Sequence, residues 1–113
     1  MKLVRKGDIQ PRKVEADAEG VPAERTSIQV LVEGPNFVMR LFTIEPGGHT
    51  PLHSHPWEHE VFVVSGSGVT AGELEAEFSA GDALFVPAGE VHSFRNTGAE
   101  ALRIICVVPR DSG

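Results

Sequence analysis

Twelve glycines and eight prolines cut this 113-residue chain into short β-rich runs, and that punctuation points to an all-β fold. No stretch carries a convincing helical period. Ser27 to Val32 (SIQVLV) reads as a strand and Gly34-Pro35-Asn36 as a turn. Phe37 to Ile44 (FVMRLFTI) reads as a long strand, apolar on both faces except at Arg40 and Thr43. Leu52 to His55 and His59 to Val64 follow as strands joined by Pro56-Trp57-Glu58. Beyond Gly66, two short strands flank Ala71-Gly72. In the second, Leu74, Ala76 and Phe78 alternate with Glu73, Glu75 and Glu77, the pattern of a strand with one wet face. Ala83 to Val86, Val91 to Phe94 and Ala101 to Val108 complete a set of about nine or ten strands, which predicts a sandwich or a barrel.

The chain is long enough for one core and too short for two, with 41% hydrophobic residues. We divide it into an N-terminal arm over residues 1–26 and a barrel over residues 27–110. The formal net charge of −6 argues against a nucleic-acid partner. Lys2, Arg5, Lys6, Arg12 and Lys13 do cluster near the N-terminus, but Asp8, Glu15, Asp17 and Glu19 dilute them. No apolar run approaches the roughly 18 residues needed to cross a bilayer, and Met1 to Gly7 does not resemble a signal peptide. Cys106, the single cysteine, excludes an internal disulfide and fits a reducing compartment, so a cytoplasmic protein is the expectation.

The chemistry concentrates in Gly47 to Gly66 (GGHTPLHSHPWEHEVFVVSG), where His53, His55 and His59 lie close together. Residues i and i+2 of a strand share a side, so His53 and His55 can face one interior point. Neutral imidazole is the commonest protein metal ligand. His92 lies downstream in GDALFVPAGEVHSFRN and can join them. Strand periodicity does not choose between His59 and Glu60 as a further ligand, because Val61 and Val63 on one face and Phe62 and Val64 on the other are all apolar.

Two spaced patterns make this specific. Gly47, His53, His55, His59 and Gly66 are separated by five, one, three and six residues; Gly81, Pro87, Gly89, His92 and Asn96 by five, one, two and three. Together they resemble the paired motifs of the cupin superfamily, which implies a jelly-roll β-barrel with a metal inside. The family's usual glutamate ligand falls three or four residues after the second histidine, and the six-residue count to Gly66 favours His59 there. His-Ser-His-Pro-Trp-Glu-His-Glu is similar to small one-domain bacterial cupins with a four-histidine manganese site. That resemblance implies His53, His55, His59 and His92 as ligands, with Glu60 outside the metal's immediate shell. It also implies Mn(II) first and Fe(II) second; Zn, Ni or Cu would be favoured by intrinsic affinity.

Around these, Phe42, Phe94 and Ile104 are expected to wall an apolar cavity. Trp57 either walls it or anchors a tight turn. Cys106 shares a face with Leu102, Ile104 and Val108, and is either an oxidisable thiol near the metal or an inert buried one. Arg40 is expected to pair with an acidic neighbour, with substrate contact as the alternative. His49 is expected in a solvated loop, and Asn96 is expected to fix the turn after its strand. No Lys or Arg accompanies the histidines within the motifs, and only Glu58 or Glu60 offers a nearby general base. The function expected is an oxygenase- or dioxygenase-like oxidation of a small, mostly apolar substrate, by analogy of fold. A metal-loaded, non-catalytic module that binds or senses a small ligand is the alternative. The apolar outer face of Phe62 and Val64 needs covering, so we expect a homodimer in which the N-terminal arm packs on or exchanges with the partner.

Overall fold

A computed structural model describes residues 1–111. Nine strands form one antiparallel system: β1 (Arg12–Ala16), β2 (Pro22–Glu33), β3 (Phe37–His49), β4 (His59–Ser65), β5 (Ser67–Gly72), β6 (Glu77–Ser79), β7 (Ala83–Val86), β8 (His92–Asn96) and β9 (Leu102–Pro109). They neighbour one another in the order β6-β5-β8-β3-β9-β4-β7, while β2 pairs with β3 and β1 with β2. The long strand β3 carries β9 along Phe37 to Ile44 and β8 at His49. The stretch Glu45 to Gly48 therefore hands the chain from one half of the roll to the other. The result is the curled all-β jelly roll.

Alternation decides what faces in. In β9, Leu102, Ile104, Cys106 and Val108 are buried, while Arg103, Ile105 and Val107 stay half-exposed. In β4, His59, Val61 and Val63 are buried, while Glu60, Phe62 and Val64 are exposed. Register sets the interior rows: Arg40 and Val61 both lie opposite Cys106, and Phe42 and Val63 both lie opposite Ile104. One end of the roll is sealed by Ile44, Leu102 and Val63, with Phe78 and Phe94 packed edge to face at 6.1 Å. Full burial of each aliphatic side chain contributes about 1.5–3 kcal/mol. The other end stays open, and the histidines lie there.

The glycines that bracket the two motifs have a geometric reason. Gly47, Gly66, Gly81 and Gly89 all have positive φ, between +81° and +94°. Gly66 is the tightest of the four: a Cβ there would sit 2.8 Å from the Ala101 carbonyl oxygen and 2.9 Å from the Leu102 Cα. Only glycine lets the β4–β5 turn lie against the start of β9.

Four sequence expectations change. The strand from Phe37 runs past Ile44 to His49, which places His49 half-buried at a strand end rather than in a solvated loop. Leu52 to His55 is not a strand; prolines at 51 and 56 flank it, and a single bridge between His53 and His92 is all it forms. The alternating segment from Glu73 is a strand only at Glu77–Ser79. Before that, the Thr70 hydroxyl donates to the Leu74 carbonyl (2.6 Å) and accepts the Ala76 N–H (2.8 Å), curling the chain into a loop. Strand β2 starts at Pro22, so residues 22–26 of the arm are its first residues. The arm packs on its own chain: β1 pairs with β2, and Gln29 Nε2 donates to the carbonyls of Lys6 and Ile9. No helix among the described residues is long and apolar enough to cross a membrane.

Candidate metal centre

Backbone hydrogen bonds lock the two motifs together. His53 and His92 exchange N–H···O bonds in both directions, at 3.2 and 2.9 Å, and the Gly89 N–H donates to the His55 carbonyl at 2.8 Å. Beneath them, Thr50 and Phe94 are cross-bonded: the Thr50 N–H reaches the Phe94 carbonyl at 3.0 Å, and Thr50 Oγ1 accepts the Phe94 N–H at 2.9 Å. The Ser93 hydroxyl donates to the Thr50 carbonyl at 2.7 Å. His59 opens β4 and His92 opens β8, so their side chains enter the barrel from rigid strands.

Four imidazole rings gather at this point. His53, His55 and His92 bring ligand atoms within 4.8 Å of one another. The His59 ring stands 4.8 Å from those of His55 and His92, and its Nε2 lies 3.1 Å from His92 Nε2. Each Nδ1 has a partner. His55 donates to the Trp57 carbonyl at 2.9 Å, His92 to the Glu90 carbonyl at 2.8 Å, and His53 to Asp17 Oδ2 at 2.7 Å. Carbonyl and carboxylate oxygens only accept, so these three rings carry a proton on Nδ1, and in their neutral form the lone pair is on Nε2. His59 Nδ1 lies 2.8 Å from Cys106 Sγ, an atom that can donate or accept. Because His92 Nε2 is bare in that form, the 3.1 Å contact makes His59 Nε2–H its donor and leaves Cys106 S–H to donate to His59 Nδ1. His59 offers an Nε2 lone pair only in its other tautomer, with Nδ1–H donating to the sulfur. The His53, His55 and His92 nitrogens lie close enough together to hold a metal ion, and the His59 ring adjoins them.

Burial favours the neutral form of His55, His59 and His92. Loss of hydration, followed by the nearby His92 and His55 rings, pushes His59 down to about 3. Burial also lowers His55 and His92, against the opposing pull of their carbonyl partners. Burial raises the Cys106 thiol despite the neighbouring Arg40, so it stays protonated at neutral pH. Burial works against the Asp17 carboxylate, but the hydrogen bonds from His53 and from the N–H groups of Val21 and Glu19 outweigh it and hold the group below its usual range.

The rings line the inner end of a cavity of about 320 Å³, together with Arg40, Phe42, Phe94, Ile104 and Cys106. Trp57 both lines it and stacks on His55, with centroids 4.5 Å apart and planes at 5°. Glu60 does not line it; that side chain is exposed on the outer face, across from Phe85 and Val107. His49 is also absent from the lining, and its Nδ1 bonds the Thr50 carbonyl. Asn96 holds its turn through Gly98 N–H and the Glu100 carbonyl, and in addition ties β8 to the Ile44 carbonyl of β3 at 2.8 Å.

Residues 40–108 match the family described as Cupin domain. The chain belongs to the cupins. It is 31% identical over 104 residues to the 1-methylthio-D-xylulose 5-phosphate methylsulfurylase of Rhodospirillum rubrum, covering 89% of this chain and 65% of that protein. Thus it spans a little under two thirds of that relative. The polyketide cyclase RemF from Streptomyces resistomycificus superposes with a TM-score of 0.84 at 31% identity, over 96% of this chain and 79% of that one. A cupin 2 conserved barrel domain protein from Rhodopseudomonas palustris superposes at 0.78 with 32% identity, over 93% and 72%.

Two features of this cupin's site escape the sequence. Arg40 has no acidic partner among the described residues, contrary to the expected salt bridge; its guanidinium meets Cys106 Sγ and the Phe42 ring instead. In sequence, Asp17 is one acid among several in the arm. Its Oδ1 in fact accepts the N–H groups of Glu19 and Val21, closing the turn between β1 and β2, while Oδ2 orients His53. An Asp-Ala-Glu-Gly turn is legible in sequence, but nothing local points it at a histidine 36 positions on. The carboxylate–histidine pair predicts that Asp17→Asn keeps the turn, through its carbonyl, and confronts His53 Nδ1–H with an amide donor. Metal affinity, titrated against a chelator, should fall roughly ten- to a hundredfold with little change in melting temperature. Unchanged affinity would remove Asp17 from the centre.

Proposed function

We propose that this cupin is a metalloenzyme that holds one divalent transition metal, Mn(II) first and Fe(II) second, on the Nε2 atoms of His53, His55, His59 and His92. Its substrate is a small organic molecule bound in the adjoining cavity. One observation carries the proposal: His53, His55 and His92 bring ligand atoms within 4.8 Å of one another, and His59 Nε2 lies 3.1 Å from His92 Nε2 beside them. When bound, the metal supplies Lewis acidity, undiminished by any carboxylate ligand, or one-electron chemistry. Phe42, Phe94 and Ile104 give the cavity apolar walls. Asp17 is the only acid lining the cavity among the described residues, and its engagement with His53 leaves no spare carboxylate base there.

Two chemistries fit. The apolar walls support the expected oxidation by dioxygen. The charge left by four neutral ligands supports redox-neutral polarisation of a carbonyl or enolate. Relatives named as a cyclase and a methylsulfurylase lean toward the second, which we take as the better supported. Metal-loaded protein incubated with a panel of enolisable aromatic ketones, diols and flavonoids separates them. Isomeric products without oxygen uptake are the expected result, and oxygen consumption lost in His59→Ala would establish the oxidase reading instead. Tight binding without turnover would reduce the protein to a metal-loaded binding module.

For assembly we propose a homodimer across the outer face, where Phe62, Val64 and Phe85 are 49%, 47% and 59% exposed. Contiguous apolar surface of this kind is seldom left wet. Sedimentation should give a dimer at micromolar concentration and a monomer for Phe62→Glu; a monomeric parent protein would contradict it.

A further inference from the structure

Arg40 is a cation on the inner face of a barrel, and its surroundings do not account for it. It lies in β3 between the inward-facing Val38 and Phe42, across from Cys106, and it lines the cavity. A charge taken out of water is tolerated when an opposite charge meets it. Among the described residues the acid–base contacts are Lys13 with Glu15 and the hydrogen bond of His53 to Asp17, and neither involves Arg40. Supply is not the reason, since the chain has 16 acidic residues against 10 Lys and Arg. Its partners are weak ones: Cys106 Sγ lies 3.5 Å from Nη2, and the Phe42 ring centroid 5.3 Å from Cζ. Its Nε is buried and has no hydrogen-bond partner. A guanidinium has five N–H donors in a planar fork, matched to a carboxylate, and here most of the fork is unspent.

The rest of the cavity has the same sign. Asp17 is engaged by His53 and two backbone N–H groups, and Arg12 also lines the cavity. Arg40 also lies next to the histidines: Cys106 Sγ touches Arg40 Nη2 on one side and His59 Nδ1 on the other. A molecule held by Arg40 thus lies beside the imidazole cluster, between the aromatic walls of Phe42 and Phe94.

We propose that Arg40 is an anion anchor and that the cavity takes a planar, aromatic or conjugated carboxylate. This deepens the metalloenzyme reading by naming its substrate class, but the anchor is built from the protein alone and acts without a metal. Calorimetry with benzoate and its neutral isostere benzamide provides the test, on metal-free and metal-loaded protein, for the parent, Arg40→Gln and Arg40→Lys. Both forms of the parent should prefer benzoate by about ten- to a hundredfold, the range of one charge-assisted contact. Arg40→Gln should erase the preference and leave benzamide binding within about twofold; Arg40→Lys, which keeps the charge and loses the fork, should retain part of it. If Arg40→Gln does not fold, the metal-free parent and Arg40→Lys still decide. Equal binding of the two probes by the metal-free parent, failure to bind either, or a preference that survives Arg40→Gln would each overturn the anchor. A preference present only with metal would sink the anchor and leave the metal centre standing. A preference without any metal uptake would do the reverse.

Discussion

His92→Ala protein, purified from manganese-supplemented culture, should retain less than about a tenth of the metal bound by the parent and should show no turnover. The side chain is one of four donors, and its Nε2 lies 3.1 Å from that of His59, at the heart of the cluster. Structural four-ligand sites bind zinc with about 10–16 kcal/mol, so one ligand carries roughly 3 kcal/mol, or two decades of affinity. The fold should survive, because the bonds between His53 and His92 that join the motifs are made by backbone atoms. His49→Ala is the matched control: it removes a histidine outside the cavity and should leave metal content unchanged. Equal metal content in the two variants would mean that the ion is held elsewhere.

Acid should unfold the metal-free protein earlier than a domain without buried imidazoles. His59 is pushed to about 3 in the folded chain, mainly by burial, and His55 and His92 are lowered as well. Unfolded histidine titrates near 6.5. Below that pH the unfolded chain binds protons that the native one refuses, so stability is complete above about pH 6.5 and falls as pH drops toward 3. At pH 4, His59 alone accounts for a loss of about 3 kcal/mol, a large share of a typical domain's 5–15 kcal/mol. Urea melts of chelator-treated protein between pH 7 and pH 4 should show that decline, and His59→Gln should flatten it. A stability independent of pH over this interval would show that His59 is not held neutral.

Much of the fold is legible because it depends on local chemistry. Glycine and proline placement divides the chain into strands, and the positive φ of Gly47, Gly66, Gly81 and Gly89 explains why the motif spacings are rigid. The choice between His59 and Glu60 was not open to periodicity, since both faces of β4 are apolar. The structure turns His59 into the barrel, at 5% exposure, and leaves Glu60 in solvent. What stayed hidden depends on register and distant contacts. The register that sets Arg40 opposite Cys106 is a property of the β3–β9 pairing, not of either strand's composition. Asp17 reaches His53 only because the β1–β2 hairpin folds over the open end of the barrel. In the Leu52 to His55 segment, alternation suggested a strand, but the flanking prolines withhold the N–H groups a ladder needs.

The account rests on four imidazoles meeting at one ion. A crystal of the manganese-loaded protein, with anomalous scattering collected to locate the metal, tests this most directly. One peak within about 2.0–2.3 Å of Nε2 of His53, His55, His59 and His92 is the predicted result. A peak held by His53, His55 and His92 with His59 left on Cys106, or no peak among these rings, would contradict it.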